Sequence, residues 1–310
     1  MVLGYCEPSV QVFKHPVFDA AGIHISVLRE DLNHDFISGN KWWKLRDNLV
    51  AATESGLPLL TFGGAYSNHI YATAAACHEL NISCIGIIRG EDGQIESPTL
   101  RFAREKGMRI IRVSREKYRR KAEHEFLETL RKKIGEFYIV PEGGSNQRAV
   151  AACSDWGRKI EAVYGHAFDA IALPVGTGGT MAGIISGLSP RLTVHGFAVL
   201  RKGNFLKDQI SGFIDNSTKE SFDNWVVHTN YHFGGYGKPN EAVFSFIRDQ
   251  HPYLPLDAVY TAKMMLGLID LAKNGLFESG YRLLALHTGG LQGNSGFVGR
   301  GLFESLRDPS

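Results

Sequence analysis

Three short stretches of the chain set glycines beside residues that can do chemistry. The first is Gly176-Thr177-Gly178-Gly179-Thr180, directly after the apolar run Leu173-Pro174-Val175. Glycines let backbone N–H groups converge there, and a helix starting at the next residues adds its positive end. The loop therefore reads as a phosphate cradle, with the Thr177 and Thr180 hydroxyls as further donors. A dinucleotide fingerprint would need glycine where Met181 stands and an acid about twenty residues on, where Gly196 to Leu200 is apolar. A P-loop would need Ser or Thr after Gly237-Lys238, and Pro239 follows instead. A small phosphorylated cofactor fits better than a nucleotide.

The second stretch is Ser38-Gly39-Asn40-Lys41. Trp42, Leu45, Leu49 and Ala52 share one helical face, so a helix is expected to begin near Lys41, capped by Asn40 or Ser38. The positive end of that helix would disfavour an ammonium and lower the Lys41 pKa, which suits an amine nucleophile attacking a carbonyl. The plain alternative is an exposed lysine. In the third stretch, Gly63-Gly64-Ala65-Tyr66-Ser67-Asn68-His69, Ser67 and Asn68 stand at another helix start. They either cap it or help form an anion site suited to a carboxylate. Pro141-Glu142-Gly143-Gly144-Ser145-Asn146 repeats that grammar and is expected to be mainly structural.

These loops need a frame, and the sequence supplies one. Apolar runs Leu59–Phe62, Ser83–Arg89, Arg109–Val113 and Phe137–Val140 alternate with helical patterns Ser67–Leu80, Thr99–Lys106, a long charged segment to Lys133, and Gln147–Val163. The rhythm restarts with a strand Ala170–Val175, a helix from Thr180, strands Leu192–Leu200 and Trp225–Thr229, a helix Thr261–Asn274 and a strand Tyr281–Leu286. Such alternation means βαβ units and parallel sheets, and two α/β domains with a cleft between them are expected.

Composition agrees with a globular fold: 310 residues, 44% hydrophobic and 21% charged, with 35 glycines. Charges nearly balance, 34 Lys and Arg against 32 Asp and Glu, which argues against a dedicated nucleic-acid or membrane binder. The segment Arg112–Lys133 is basic, nine Lys/Arg against four Asp/Glu, but its Glu116–Arg120 and Glu128–Lys132 spacings read as a solvated helix face. Cys6, Cys77, Cys84 and Cys153 form no CxxC pair, so reduced thiols and no metal site are expected. With no secretory signal or spanning segment visible, a cytoplasmic protein is expected.

Four motifs agree in order and spacing: Gly39-Asn40-Lys41, Gly63-Gly64 with Ser67-Asn68, Gly176–Thr180, and Thr288-Gly289-Gly290. With them, from Phe18 to Gly293, the chain resembles the D-cysteine desulfhydrase/1-aminocyclopropane-1-carboxylate (ACC) deaminase family. These are pyridoxal-5′-phosphate (PLP) enzymes of fold type II, tryptophan-synthase-β-like. The resemblance implies that Lys41 bonds the PLP aldehyde and that Asn68 contacts the ring hydroxyl. It implies that Gly176, Thr177, Gly178, Gly179 and Thr180 form the phosphate cup and that Thr288 faces the pyridine nitrogen. A neutral partner there leaves that nitrogen unprotonated and favours elimination. Ser67 and Tyr260 join Lys41 as catalytic residues, and Tyr66, Ser67, Asn68, His69 and Tyr260 face the substrate. For His69 and His287 a packed or capping histidine is the plainer reading. The segment Tyr231–Lys238 is expected to shape the same cleft.

The residue after Tyr260 discriminates within the family. The resemblance implies glutamate there in ACC deaminases; Thr261 points to the D-cysteine desulfhydrase branch. Tyr66 departs from the family's commoner glutamine. The implied activity is β-elimination from a small amino acid, D-cysteine first. ACC deamination is the alternative, and a non-catalytic PLP or amino-acid binder is the rival from another class. The implied architecture is a large cofactor domain, residues 1–44 and 156–310, with a small domain, 45–155, in a homodimer.

Overall fold

The computed structural model describes residues 3–91, 96–218 and 221–297. In chain order its elements are β1 (Val10–Phe13), α1 (Pro16–Ala21), β2 (His24–Leu28), α2 (Asn40–Ser55), β3 (Leu59–Gly63), α3 (Asn68–Glu79), β4 (Cys84–Arg89) and α4 (Pro98–Glu105). Next come β5 (Arg109–Val113), α5 (Arg115–Arg119), α6 (His124–Ile134), β6 (Tyr138–Val140), α7 (Gln147–Tyr164), β7 (Ala170–Val175) and α8 (Gly179–Gly187). The chain continues with β8 (Thr193–Ala198), α9 (Leu206–Ser217), β9 (Trp225–His228), α10 (Glu241–Gln250), α11 (Thr261–Lys273) and β10 (Arg282–Leu286).

The strands form two sheets. One has six strands in the order β1-β2-β10-β7-β8-β9, and the other has four in the order β5-β4-β3-β6. Among the described residues only the β1–β2 pairing is antiparallel and every other neighbour is parallel, with Leu59 opposite Cys84 in one sheet and Ala170 opposite Thr193 in the other. Strands β3 and β7 are buried along their whole length, as expected for parallel strands covered on both faces. The expected α/β architecture is therefore observed.

A single apolar cluster joins the two sheets. It runs from Leu45 and Leu49 of α2 through Ala74 and Ala76 of α3 to Val150 and Trp156 of α7 and Ile184 of α8. Trp43 and Trp156 stack at 5.8 Å between centroids with their planes 5° apart, tying α2 to α7. Gly157 and Gly187 let α7 and α8 approach closely: a Cβ on Gly187 would lie 2.1 Å from the Ser154 carbonyl. Separate clusters cover the outer face of the large sheet, under α1, α10 and α11, and the outer face of the small one, under α5 and α6.

Two expectations are corrected. The long charged segment is not one helix. The chain turns between α5 and α6, where Arg120 is an exposed ion-pair partner of Glu123 and Glu125 rather than part of a continuous helix face. Helix α2 starts at Asn40 with Gly39 as its cap at φ 68°, so neither Asn40 nor Ser38 caps it. A side chain at Gly39 would strike the Thr288 carbonyl, its Cβ falling 2.1 Å from that oxygen. The approach of the Thr288 loop decides the start of this helix.

Candidate active site

The loops that leave the C-terminal ends of parallel strands in both sheets meet around one cavity of about 610 Å³. Its wall takes Gly64–His69 after β3, Arg89 at the end of β4, Glu142 and Gly143 after β6, Gly176–Gly178 and Thr180 after β7, and Thr288 and Gly289 after β10. Asn40, Lys41 and Lys44 of α2 also line it, as do Tyr236 and Tyr260. This is where open α/β sheets place their ligands.

Lys41 lies at the centre of the donor set. Its Nζ donates to Asn40 Oδ1 at 2.9 Å, and Asn40 Nδ2 donates to Thr180 Oγ1 at 2.9 Å. Lysine is thereby linked to the first turn of α8. Burial lowers its pKa from 10.5 to about 8, while Asp257 and Cys153 oppose the shift. Burial, more than the helix end invoked above, makes this amine available as a nucleophile. One turn on, burial and then the Lys41 charge lower Lys44 to about 7, and its Nζ donates to Ser145 Oγ at 2.6 Å. Ser145 Oγ in turn meets Thr177 Oγ1 at 2.5 Å.

Ser67 caps α3, accepting from the Ile70 N–H at 3.3 Å, so the α3 N-terminus opens onto the cavity. Asn68 follows it, its Oδ1 accepting from Gln292 Nε2 at 2.8 Å. Tyr66 lines the rim, 49% exposed. His69 lines the wall but is buried, and both ring nitrogens are engaged. The Thr61 hydroxyl donates to the Val140 carbonyl at 2.7 Å, so His69 Nε2 is the donor to Thr61 Oγ1 at 2.7 Å. Its Nδ1 faces Thr73 at 3.5 Å. Burial, then the Lys41 and Lys44 charges, hold its pKa well below the ordinary value. His287 is also packed, between Asp31 and the Pro255 carbonyl, at 3.4 and 2.7 Å.

Tyr260 is set by Asp257. One Asp257 oxygen accepts the N–H groups of Val259 and Tyr260, at 2.9 and 2.8 Å. The other accepts the Thr261 N–H and hydroxyl, at 2.8 and 2.7 Å. Thr261 is thus spent on starting α11 and does not reach the cavity wall. Tyr236 stands beside Tyr260, with ring centroids 6.0 Å apart, on the loop fixed by Lys263 Nζ donating to the Gly235 carbonyl at 2.8 Å.

Of the residues singled out from sequence, Lys41, Tyr66, Ser67, Asn68, His69, Gly176, Thr177, Gly178, Thr180, Tyr260 and Thr288 line this one cavity. Gly179 does not; it packs on Ser145, where a Cβ would fall 2.9 Å from Oγ. The 141–146 loop, expected to be mainly structural, places Glu142 and Gly143 in the wall and ties Lys44 to Thr177 through Ser145. Sequence reasoning missed Lys44, Arg89 and Asp257. Lys44 was findable, since i+3 from Lys41 shares its face.

The donor set fits pyridoxal phosphate. A buried amine with one hydrogen-bond partner suits an aldehyde, and the Gly176–Thr180 turn brings the start of α8 to the same cavity, which suits a phosphate. A Cβ at Gly176 would crowd the Tyr260 ring at 3.3 Å, and Gly178 holds φ 77°. Comparison with known proteins decides the matter: the profile of the pyridoxal-phosphate dependent enzymes matches residues 11–289. The chain belongs to that family. A putative ACC deaminase of Pyrococcus horikoshii is 30% identical over 88% of this chain and 86% of its own length. A mitochondrial bifunctional D-cysteine desulfhydrase/ACC deaminase of Arabidopsis thaliana is 29% identical over 88% of this chain and 73% of its own. A crystal structure of an ACC deaminase homologue superposes with a TM-score of 0.83 at 27% identity, covering 96% of this chain and 94% of that one. This PLP enzyme is therefore of the deaminase/desulfhydrase group, with PLP as its cofactor and a small amino acid as its substrate. Among the described residues no helix is long and apolar enough to cross a membrane.

Proposed function

We propose that this enzyme eliminates the β-substituent of a small amino acid, with D-cysteine as substrate and pyruvate, ammonia and sulfide as products. The observation that carries the choice is Thr261, buried and bonded to Asp257, so that the position implied to hold glutamate in ACC deaminases offers no acid to the cavity. When bound, pyridoxal phosphate supplies a ring that spreads the negative charge left at Cα. Lys41 would hold its aldehyde end, the Gly176–Thr180 loop its phosphate, and Asn68 and Thr288 its ring.

The rest is done by the chain. The N-terminus of α3, with Ser67, Asn68 and Tyr66, holds the substrate carboxylate. Lys41 Nζ, its pKa lowered by burial to about 8, takes the Cα proton in its unprotonated form. The Cβ–S bond breaks with its electron pair on sulfur, and water then replaces nitrogen to give pyruvate and ammonia. Burial and then Tyr236 hold the Tyr260 hydroxyl well above its ordinary pKa, so it serves as a proton donor rather than a base.

The same reading divides the chain into residues 1–44 with 156–310 and residues 45–155. It is supported by the confinement of β3, β4, β5 and β6 to the second group. A cytoplasmic homodimer completes it; the reading rests on the family resemblance and on four free thiols. The second reading, ACC deamination, is favoured by the names of the relatives. Incubation of holoenzyme with D-cysteine is expected to release sulfide and pyruvate in equal amounts. An enzyme idle on D-cysteine and active on ACC overturns the proposal.

A further inference from the structure

The cavity wall carries a cation that the chemistry above does not use. Arg89 ends β4, the strand beside β3, and among the described residues it is the one arginine in the cavity wall. Its guanidinium lies against Gly64, where a Cβ would sit 3.7 Å from Nη2. It also stands over the Tyr118 ring, 5.8 Å from the centroid. No carboxylate among the described residues comes within 4.0 Å of it. The nearby acid, Glu142, is paired instead with Lys121 at 3.2 Å. Burial raises the pKa of both Tyr118 and Tyr236, Glu142 adds to the rise, and the Arg89 charge opposes it in both.

An arginine set at the C-terminal edge of a parallel sheet, facing a ligand cavity and lacking an acid partner, is a fork for an oxyanion. The substrate's own carboxylate has a separate place at the start of α3. We propose that Arg89 receives a second anionic group, borne on the β-carbon of the substrate. The site then takes small amino acids bearing a β-sulfonate, a sulfate ester or a phosphate ester, and holds them more tightly than D-cysteine. This rests on the elimination reading of the site. The Cα–H bond breaks and its proton goes to Lys41 Nζ, while its electron pair forms the Cα–Cβ double bond. The bond from Cβ to the substituent breaks with its pair on the leaving sulfite, sulfate or phosphate. Hydrolysis again yields pyruvate and ammonia.

The test uses holoenzyme and Arg89→Gln and Arg89→Lys, changes at an exposed strand end. Titration calorimetry compares 3-sulfopropanoate with propanoate; both lack the amino group and neither reacts. The wild type is expected to bind the sulfonate at least about tenfold more tightly; Arg89→Gln should cut the gap below about threefold, and Arg89→Lys should keep part of it. Equal binding of the two acids by the wild type, or a gap that survives Arg89→Gln, overturns the proposal. In parallel, kcat/KM for 3-sulfoalanine should fall about tenfold or more in Arg89→Gln while that for uncharged β-chloroalanine stays within about threefold. If β-chloroalanine is not turned over by the wild type, the elimination reading fails, and the calorimetry still decides Arg89.

Discussion

Two lysines one helical turn apart face the same cavity and do different work. Among the described residues Lys41 has only the neutral Asn40 side chain as a hydrogen-bond partner; Lys44 is fixed to Ser145, which also touches Thr177. The first arrangement leaves a nitrogen lone pair accessible, and the second holds a donor near the glycine loop. Lys41→Ala should therefore lower turnover by at least about a thousandfold, while Lys44 remains in place. Borohydride reduction of the wild-type holoenzyme followed by peptide mass mapping should find the pyridoxyl group on the peptide containing Lys41, and the adduct should vanish in Lys41→Ala. An adduct on the Lys44 side chain instead would reverse the two roles. The chemistry of Lys41 was legible because Gly-Asn-Lys before an amphipathic pattern is a local signal. The main cause of its lowered pKa was not, because burial belongs to the packed chain.

At the scale of elements, the site depends on how α2 begins. Strand β2 is followed by Glu30, whose backbone carbonyl accepts the Gly39 N–H at 2.8 Å and whose side chain accepts from Asn33 at 2.6 Å and from Trp43 and Tyr5 at 3.3 Å each. Asn33 also accepts the Gly39 N–H, at 3.0 Å. Burial, outweighing these hydrogen bonds, raises the Glu30 carboxyl from 4.5 to about 7. A folded-state pKa above the unfolded value means the native chain binds more protons. This contribution to stability is complete below about 4.5 and is lost as pH rises through about 7. Glu30→Gln should flatten the decline in urea midpoint between pH 5 and pH 8; an unchanged slope would show that Glu30 titrates normally. None of this was visible in the sequence, because β1, α1 and β2 gave no strong apolar run and were not assigned as elements. Helices α9 and α10 were missed for the same reason. The βαβ units from β3 to β8 were legible because β3, β4 and β7 are apolar runs, β3 and β7 closed directly by glycine, and they alternate with helical patterns.

For the molecule as a whole, the sheet-and-helix rhythm foretold two parallel sheets and a shared cavity but not what holds the sheets together. That task falls to α2, α7 and α8, whose contacts are close helix packings with no sequence signature beyond small residues such as Gly157, Gly183 and Gly187. Trp156 sits at the junction, fully buried and stacked on Trp43, two residues from Lys41. Trp156→Ala should cost about 3–5 kcal/mol in the cofactor-free protein through the cavity it leaves. Because Trp43 leans on it, the start of α2 should loosen and PLP should bind more weakly. Ligand binding stabilises the fold by mass action, about 2.7 kcal/mol at a hundred times the dissociation constant. Raising PLP to that ratio should therefore recover much of the loss, and the variant should reach the same recovery only at a higher PLP concentration than the wild type needs. Thermal melts of both proteins across a PLP series measure the two effects separately. A variant with a lowered melting temperature but an unchanged PLP midpoint would show that the junction supports the fold without positioning the lysine.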